Sequence, residues 1–116
     1  MAKIEIVKPI IIEIDGMTYT LEFNRNSVVA AERAGFVADQ IAEKPMTMLP
    51  LLFFAAFRKN QPNISREETD HILFDVLGGL SKEVVERLVK LYTEPTKTLF
   101  RTEDDGEQPK NAKISL

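Results

Sequence analysis

Residues 10–23 read IIIEIDGMTYTLEF and carry the sharpest fold signal of the chain. Apolar residues alternate with others on both sides of the pair Asp15-Gly16, as they do in a strand with one buried face. Asp-Gly is preferred in a two-residue type I′ turn, because both turn positions need positive φ. The sequence therefore predicts an antiparallel β-hairpin whose register is set by this turn. The predicted pairs are Ile14–Met17, Ile12–Tyr19 and Ile10–Leu21 on the apolar face, and Glu13–Thr18 and Ile11–Thr20 on the other.

Helical signals follow the hairpin. The spacing of small and apolar residues predicts a short helix over 28–34, with Gly35 placed to end it. Residues 36–43 predict one or two further helical turns, because Val37 and Ile41 are one turn apart. The residues that offer caps to the first helix are Asn24, Asn26 and Ser27.

A second helix is expected after Lys44-Pro45, since the residue before a proline avoids the helical region. With Thr47 as its N-cap, Pro50 falls in the first turn, where its missing N–H costs little. This helix should run to about Arg58 or Lys59. It is apolar nearly all round, so it is expected to be either central in the fold or partly covered by a partner.

Two more helices are predicted beyond a loop at 61–63. Ser65 and Glu68 form a capping box at the start of one, which Gly78-Gly79 ends. Ser81 caps the other, and Pro95 limits its extent. The apolar stripes that accompany these signals are Ile72, Leu73, Val76 and Leu77 in the third helix, and Val84, Val85, Leu88, Leu91 and Tyr92 in the fourth.

These elements predict one α+β domain over residues 1–100, in which the N-terminal hairpin packs on a small bundle of about four helices. Residues 101–116 differ in composition, with seven charged and three isolated apolar residues. Such a segment buries too little apolar surface to offset the conformational entropy lost on ordering, so a flexible polar C-terminal tail is expected.

Composition excludes several classes of protein. The 116 residues include no cysteine, which excludes thiol catalysis, disulfides and cysteine metal sites. A net charge of −3 with scattered basic residues makes nucleic acid a poor partner. The longest apolar run, 48–57, is about half the length that a bilayer-spanning helix needs, and the N-terminus lacks a signal-peptide pattern. A cytoplasmic protein without membrane or nucleic-acid partners is expected.

The sequence gives little support for catalysis or metal binding. In a helix, His71 shares a face with Glu67 and Asp75, which places two carboxylates beside the single histidine. The polar side of an amphipathic helix explains these residues better, because a metal site needs more ligands. Gly78-Gly79 lacks the following residues of a phosphate loop, and the acidic run 103–107 lacks the pattern of a calcium loop. We therefore expect no enzyme activity, no cofactor and no metal.

Hydrophobic binding is the remaining possibility. Met and Phe side chains are concentrated in residues 46–54, a composition that suits an adaptable binding surface. Each of these residues alone is better explained as core. Together they offer more apolar surface than two strands and about three other helices can cover, which indicates self-association or a peptide partner. The candidate partner-binding residues are Leu49, Leu52, Phe53, Phe54 and Phe57.

Four stretches of apolar and small residues carry a resemblance to a known family. They are YTLEFN at 19–24, ERAGF at 32–36, KP followed by LLFFAAF within 44–57, and VVERLVKLY at 84–92. In this order they resemble the tail assembly chaperones of long-tailed phages and prophages of Gram-positive bacteria. The resemblance covers about residues 10–100.

The resemblance implies a small acidic cytoplasmic protein that is absent from the mature virion. Members of that family bind the tape measure protein and help to recruit subunits of the major tail tube protein, in many phages with a longer, frameshifted form. The family supplies no residue-level site, so the candidate partner surface rests on the residues alone. Two other classes stay open: a small tail-completion or connector protein of the virion, and a regulatory adaptor that binds a host protein.

Overall fold

A computed structural model describes residues 7–97, 99, 115 and 116. Within this part of the chain, a two-stranded sheet precedes four α-helices, which confirms the predicted α+β fold. A 3₁₀ helix, Ala38–Gln40, lies between the first two helices, and a π-helical turn, Ile72–Val76, continues the third. Apart from its last two residues, the predicted tail lies outside the described residues. The regular elements are β1 (Ile10–Ile14), β2 (Met17–Leu21), α1 (Arg25–Arg33), α2 (Pro45–Phe57), α3 (Arg66–His71) and α4 (Lys82–Lys97).

The hairpin has the predicted register, with Ile14 opposite Met17 and Ile10 opposite Leu21. Asp15 and Gly16 both have positive φ, 48° and 82°, as a type I′ turn requires. Ile10 and Leu21 are buried, and Ile11 on the opposite face is 55% exposed. Turn chemistry and side-chain alternation therefore determined this element locally.

Helix α1 begins three residues before the predicted Val28. Asn24 is its N-cap and forms a capping box with Ser27: the Asn24 side chain accepts from the Ser27 N–H, and the Ser27 hydroxyl oxygen accepts from the Asn24 N–H, both at 2.8 Å. Gly35 follows the helix with φ of 100°, so the predicted end is confirmed.

Helix α2 begins at Pro45, so the predicted N-cap at Thr47 is wrong. Lys44 occupies the N-cap position without a side-chain hydrogen bond, and Pro45 supplies a φ suited to the first helical position. Pro50 consequently lies inside the helix and not in its first turn. Pro50 is buried, and the carbonyl that loses its hydrogen bond to this proline belongs to Met46, a residue that is 75% exposed.

The core is built around α2, which contacts β2, α1, the 3₁₀ helix, α3 and α4. Aromatic rings meet edge to face inside it, with centroid distances of 5.0 Å for Phe53–Phe57 and 5.5 Å for Tyr19–Phe57. Tyr92 of α4 makes the same kind of contact with Phe36, at 4.8 Å. Such contacts add to the area that the rings bury.

The end of the hairpin is fastened to the end of α2 by polar contacts. The Glu22 N–H donates to the Ala56 carbonyl at 3.1 Å. The Asn60 amide donates to the Thr20 carbonyl and to Glu22 Oε1, each at 3.0 Å, and the Lys59 ammonium lies 3.0 Å from the same carboxylate oxygen. The Asn60 and Lys59 hydrogen bonds lower the pKa of Glu22 below its usual value, because they favour its charged form.

The last two helices start as predicted, and the third ends before Gly78-Gly79 as predicted, but the fourth does not end at Pro95. The Ser65 and Ser81 hydroxyls accept from the N–H groups of Glu68 and Val84, at 3.0 and 3.2 Å. Helix α4 continues two residues past Pro95, so the proline does not end it. No helix among the described residues combines the length and the apolar character needed to cross a membrane.

Candidate functional site

The five α2 residues that were predicted from the sequence to bind a partner divide into two groups by their exposure to solvent. Leu52, Phe53 and Phe57 have no exposed surface, because α2 is surrounded by its neighbours. Leu49 and Phe54 are half-buried, and the Arg58 guanidinium lies 5.4 Å from the centre of the Phe54 ring. The folded domain therefore uses three of the five as core, and a partner could reach only Leu49 and Phe54.

A shallow, open apolar groove lies instead between the 3₁₀ segment and α4. Val85 and Val89 form one wall and lie one turn apart on the helix. The other wall follows the 3₁₀ helix, where Ile41 is half-buried. The groove has a volume of about 470 Å³ and also includes three charged side chains. We call it the α4 groove; its lining residues are Ala38, Asp39, Ile41, Ala42, Val85, Glu86, Val89 and Lys90.

A second apolar surface lies at the end of the helical segment that starts with α3. Phe74, Val76 and Leu77 are 46%, 45% and 38% exposed. We call these three residues the helix-end patch. The sequence had predicted an apolar stripe over Ile72, Leu73, Val76 and Leu77, and the structure buries only its first half, Ile72 and Leu73.

A π-helical turn lies where the stripe leaves the core. Its hydrogen bonds join residues five apart, as the Leu77 N–H donates to the Ile72 carbonyl at 2.8 Å. Every residue from Phe74 to Gly79 is exposed, so Val76 and Leu77 do not continue the buried line of Ile72 and Leu73. The Gly79 N–H donates to the Leu73 carbonyl at 2.9 Å, which closes the end of the helix in an ordered form.

His71 lies on the polar side of the same segment. Its Nδ1 is 2.9 Å from Asp75 Oδ2, and the two side chains are 65% and 69% exposed. Glu67 and Asp70 line the same shallow depression as Phe74. Across residues 7–97, 99, 115 and 116, no group of three or more acidic or histidine side chains is placed to hold a metal ion.

Among the residues that the structure describes, Tyr92 is the other titratable group with a displaced pKa. Burial raises the pKa of its phenol, and the nearby charge of Glu32 raises it further. The ring packs between Phe23 and Phe36 in the core, where it contributes to stability. Neither Tyr92 nor Glu22 lines the α4 groove or belongs to the helix-end patch.

The sequence did not indicate either the α4 groove or the helix-end patch as a candidate site. Val85 had been assigned to the core stripe of the last helix, and Ile41 to a helical turn of unspecified surroundings. A signal was present in α4, because Val85 and Val89 widen the apolar stripe beyond the line of Leu88 and Leu91. Only the tertiary fold, which places residues 38–42 beside α4, converts that width into a groove.

The fold and these surfaces define a small α+β protein whose described exterior includes exposed apolar surfaces. The chain belongs to the family DUF5055, described as a domain of unknown function, whose model matches residues 1–116. No curated protein and no solved structure matches the chain.

Proposed function

We propose that this protein is a tail assembly chaperone of a long-tailed phage or prophage. It binds the tape measure protein in the host cytoplasm, helps to recruit subunits of the major tail tube protein, and is not retained in the virion. It works by reversible binding and not by catalysis. The resemblance of residues 10–100 supports this class of protein, and the α4 groove is the observation that carries the binding mode.

The groove suits an amphipathic helix as its ligand. A helix docks by laying an apolar stripe into an apolar channel while its polar face stays in water. Val85 and Val89 repeat at helical spacing along one wall, and Ile41 faces the same channel from the other segment. A tape measure protein, as a long helical chain with exposed apolar stripes, carries such segments many times over.

The size of the groove favours reversible binding. At about 470 Å³ it accommodates a few apolar side chains and not a whole helix. Only the apolar area removed from water beyond the cost of association appears as affinity. Several copies bound along one tape measure protein would cover its stripes, and each copy would be replaceable by tube subunits.

The groove is tested by introducing a charge into its wall. We expect Val85→Asp to reduce co-purification with the tape measure protein at least about tenfold, since a carboxylate must lose its hydration in an apolar contact. Val29→Asp is the matched control: Val29 is an exposed helical valine, but it lies on α1, outside the groove. Ile41→Asp charges the opposite wall and should reproduce the loss.

Unchanged binding in both groove variants, with native circular dichroism, would contradict the assignment of the groove. The class of protein has its own test. A chaperone should be absent from purified particles by mass spectrometry, and its gene should lie between those of a major tail protein and a tape measure protein. Detection in particles would favour the connector alternative instead.

A further inference from the structure

The helix-end patch is an ordered apolar surface that the described part of the fold leaves uncovered. All six residues from Phe74 to Gly79 are exposed, so this last turn stands beyond the core on every side. Its backbone is nevertheless held by the Leu77 and Gly79 hydrogen bonds. Phe74 and Leu77, which lie three residues apart, are thus presented to solvent as neighbours on the helix, whereas Val76 is only two residues from Phe74 and does not share its face.

The charges beside this patch have one predominant sign. Residues 66–76 contain four acidic residues and one basic residue, a net charge of −3 that equals the net charge of the whole chain. Arg66, the single base, forms an ion pair with Asp70 at 3.0 Å. Glu67, Asp70 and Asp75 line the depression that also contains Phe74, so the acids surround the exposed ring.

The net negative charge of residues 66–76 distinguishes among the molecules that could bind the helix-end patch. A second copy of the chain would bring the same acids against these acids, and like charges at an interface are costly. The phosphates of nucleic acid and anionic lipid headgroups are repelled for the same reason. A helix whose apolar stripe is bordered by lysine or arginine would satisfy both the apolar side chains and the carboxylates.

We propose that the helix-end patch, with Glu67, Asp70 and Asp75 beside it, docks a basic amphipathic helix. Phe74 and Leu77, three residues apart on the helix, would contact the apolar stripe of that helix, and the carboxylates would contact its cationic border. This inference does not rest on the proposed chaperone function, because it concerns a different surface and assigns the partner by its charge.

The test uses the full chain and two synthetic peptides. One is a short amphipathic helix of leucine and lysine, and the other has glutamate in place of lysine; both carry a fluorescent label for anisotropy measurements. We expect the leucine–lysine peptide to bind at low salt, with an affinity that falls as salt rises. The leucine–glutamate peptide should bind at least about tenfold more weakly, because its charges repel the acids.

Two double variants, each of which removes two negative charges, show whether the helix-end patch is responsible for peptide binding. Glu67→Gln combined with Asp75→Asn removes two charges beside the patch, and Glu13→Gln combined with Glu32→Gln removes two from exposed positions on β1 and α1. The first pair should weaken binding of the leucine–lysine peptide about tenfold, and the second by less than about twofold. Both pairs change exposed residues only, so both should remain folded.

Three results would overturn the proposal. One is equal binding of the two peptides, and another is equal weakening by the two double variants, which would leave only a bulk charge effect. The third is a dimer in sedimentation velocity that Phe74→Ala converts to monomer, because a second copy would then occupy the patch. None of these results depends on whether the chain binds a tape measure protein.

Discussion

Helix α2 and the helical segment 66–77 both contain dense apolar residues, yet the fold treats them in opposite ways. In α2, residues from Met48 to Phe57 are buried or half-buried, and neighbours surround the helix. In the other segment, Ile72 and Leu73 are buried, whereas Val76 and Leu77 one turn later are exposed. Apolar content alone therefore does not decide which residues form the core and which remain available to a partner.

The difference arises from what lies beside each helix. Four other helical or strand elements and the 3₁₀ helix pack around α2, so an all-round apolar helix finds cover on every side. The segment after His71 passes through a π-helical turn and ends at two glycines with positive φ. Its last turn extends past the elements that cover its first turns.

The largest expected effect comes from truncating one phenylalanine in each region. Phe57→Ala should lower the free energy of unfolding by about 3–5 kcal/mol, because Phe57 has no exposed surface and its loss leaves a cavity. Phe74→Ala should change it by less than about 0.5 kcal/mol, because nearly half of that side chain is already in water. Urea unfolding followed by circular dichroism measures both. Similar values for the two variants would show that the regions do not differ in this way.

A smaller effect is expected at the glycine that closes the exposed helix end. Gly79 has φ of 101°, and no atom lies within 4 Å of the position that a Cβ would take. Gly79→Ala should therefore cost only backbone strain, about 1–2 kcal/mol in unfolding free energy. Gly35→Ala is the matched control, since Gly35 has φ of 100° and equally open surroundings after α1.

Both glycine variants should lose similar stability, but only one should affect the proposed docking surface. We expect Gly79→Ala to weaken binding of the leucine–lysine peptide, because it disturbs the turn that presents Leu77. Gly35→Ala should leave that binding unchanged. If the two variants affect peptide binding equally, the ordered end of the helix is not what the peptide recognises.

The smallest effect concerns the ion pair that joins the hairpin to the buried helix. The pKa of Glu22 is lowered in the folded protein by Asn60 and Lys59. Its contribution to stability is thus present above the carboxyl's ordinary pKa and is lost as pH falls through the lower, folded value. Glu22→Gln should reduce the unfolding free energy by less than about 1 kcal/mol at neutral pH, and the difference should vanish in acid.

Urea midpoints at neutral and acidic pH measure this difference. Glu13→Gln is the control, since Glu13 is an exposed glutamate on β1 of the same hairpin. An equal loss for both variants, or a loss from Glu22→Gln that persists in acid, would contradict the role of the Asn60 and Lys59 contacts.

Local chemistry made much of the fold predictable. The hairpin register followed from Asp15-Gly16 and from side-chain alternation, and Ser65 and Ser81 marked helix starts because their hydroxyls bond to nearby N–H groups. The predicted start of α2 was wrong because Thr47 and Pro45 both suit a helix start, and the helix begins at Pro45. Each of these signals acts over only a few residues.

The candidate surfaces were less predictable. Val85 and Ile41 are far apart in the chain, and they line one groove only because the fold places residues 38–42 beside α4. Likewise, the stripe of Ile72, Leu73, Val76 and Leu77 reads as one buried face, and nothing in its spacing marks the π-helical turn that divides it.

Local sequence was enough to specify the hairpin, the presence and order of the helices, and the excess of acidic residues in 66–76. These features depend on neighbouring residues, whose φ preferences, caps and charges are written in the chain. Tertiary structure alone decided that Phe57 is core and Phe74 is surface. Burial depends on which distant elements arrive beside a side chain, and a local apolar pattern has the same form whether or not they do.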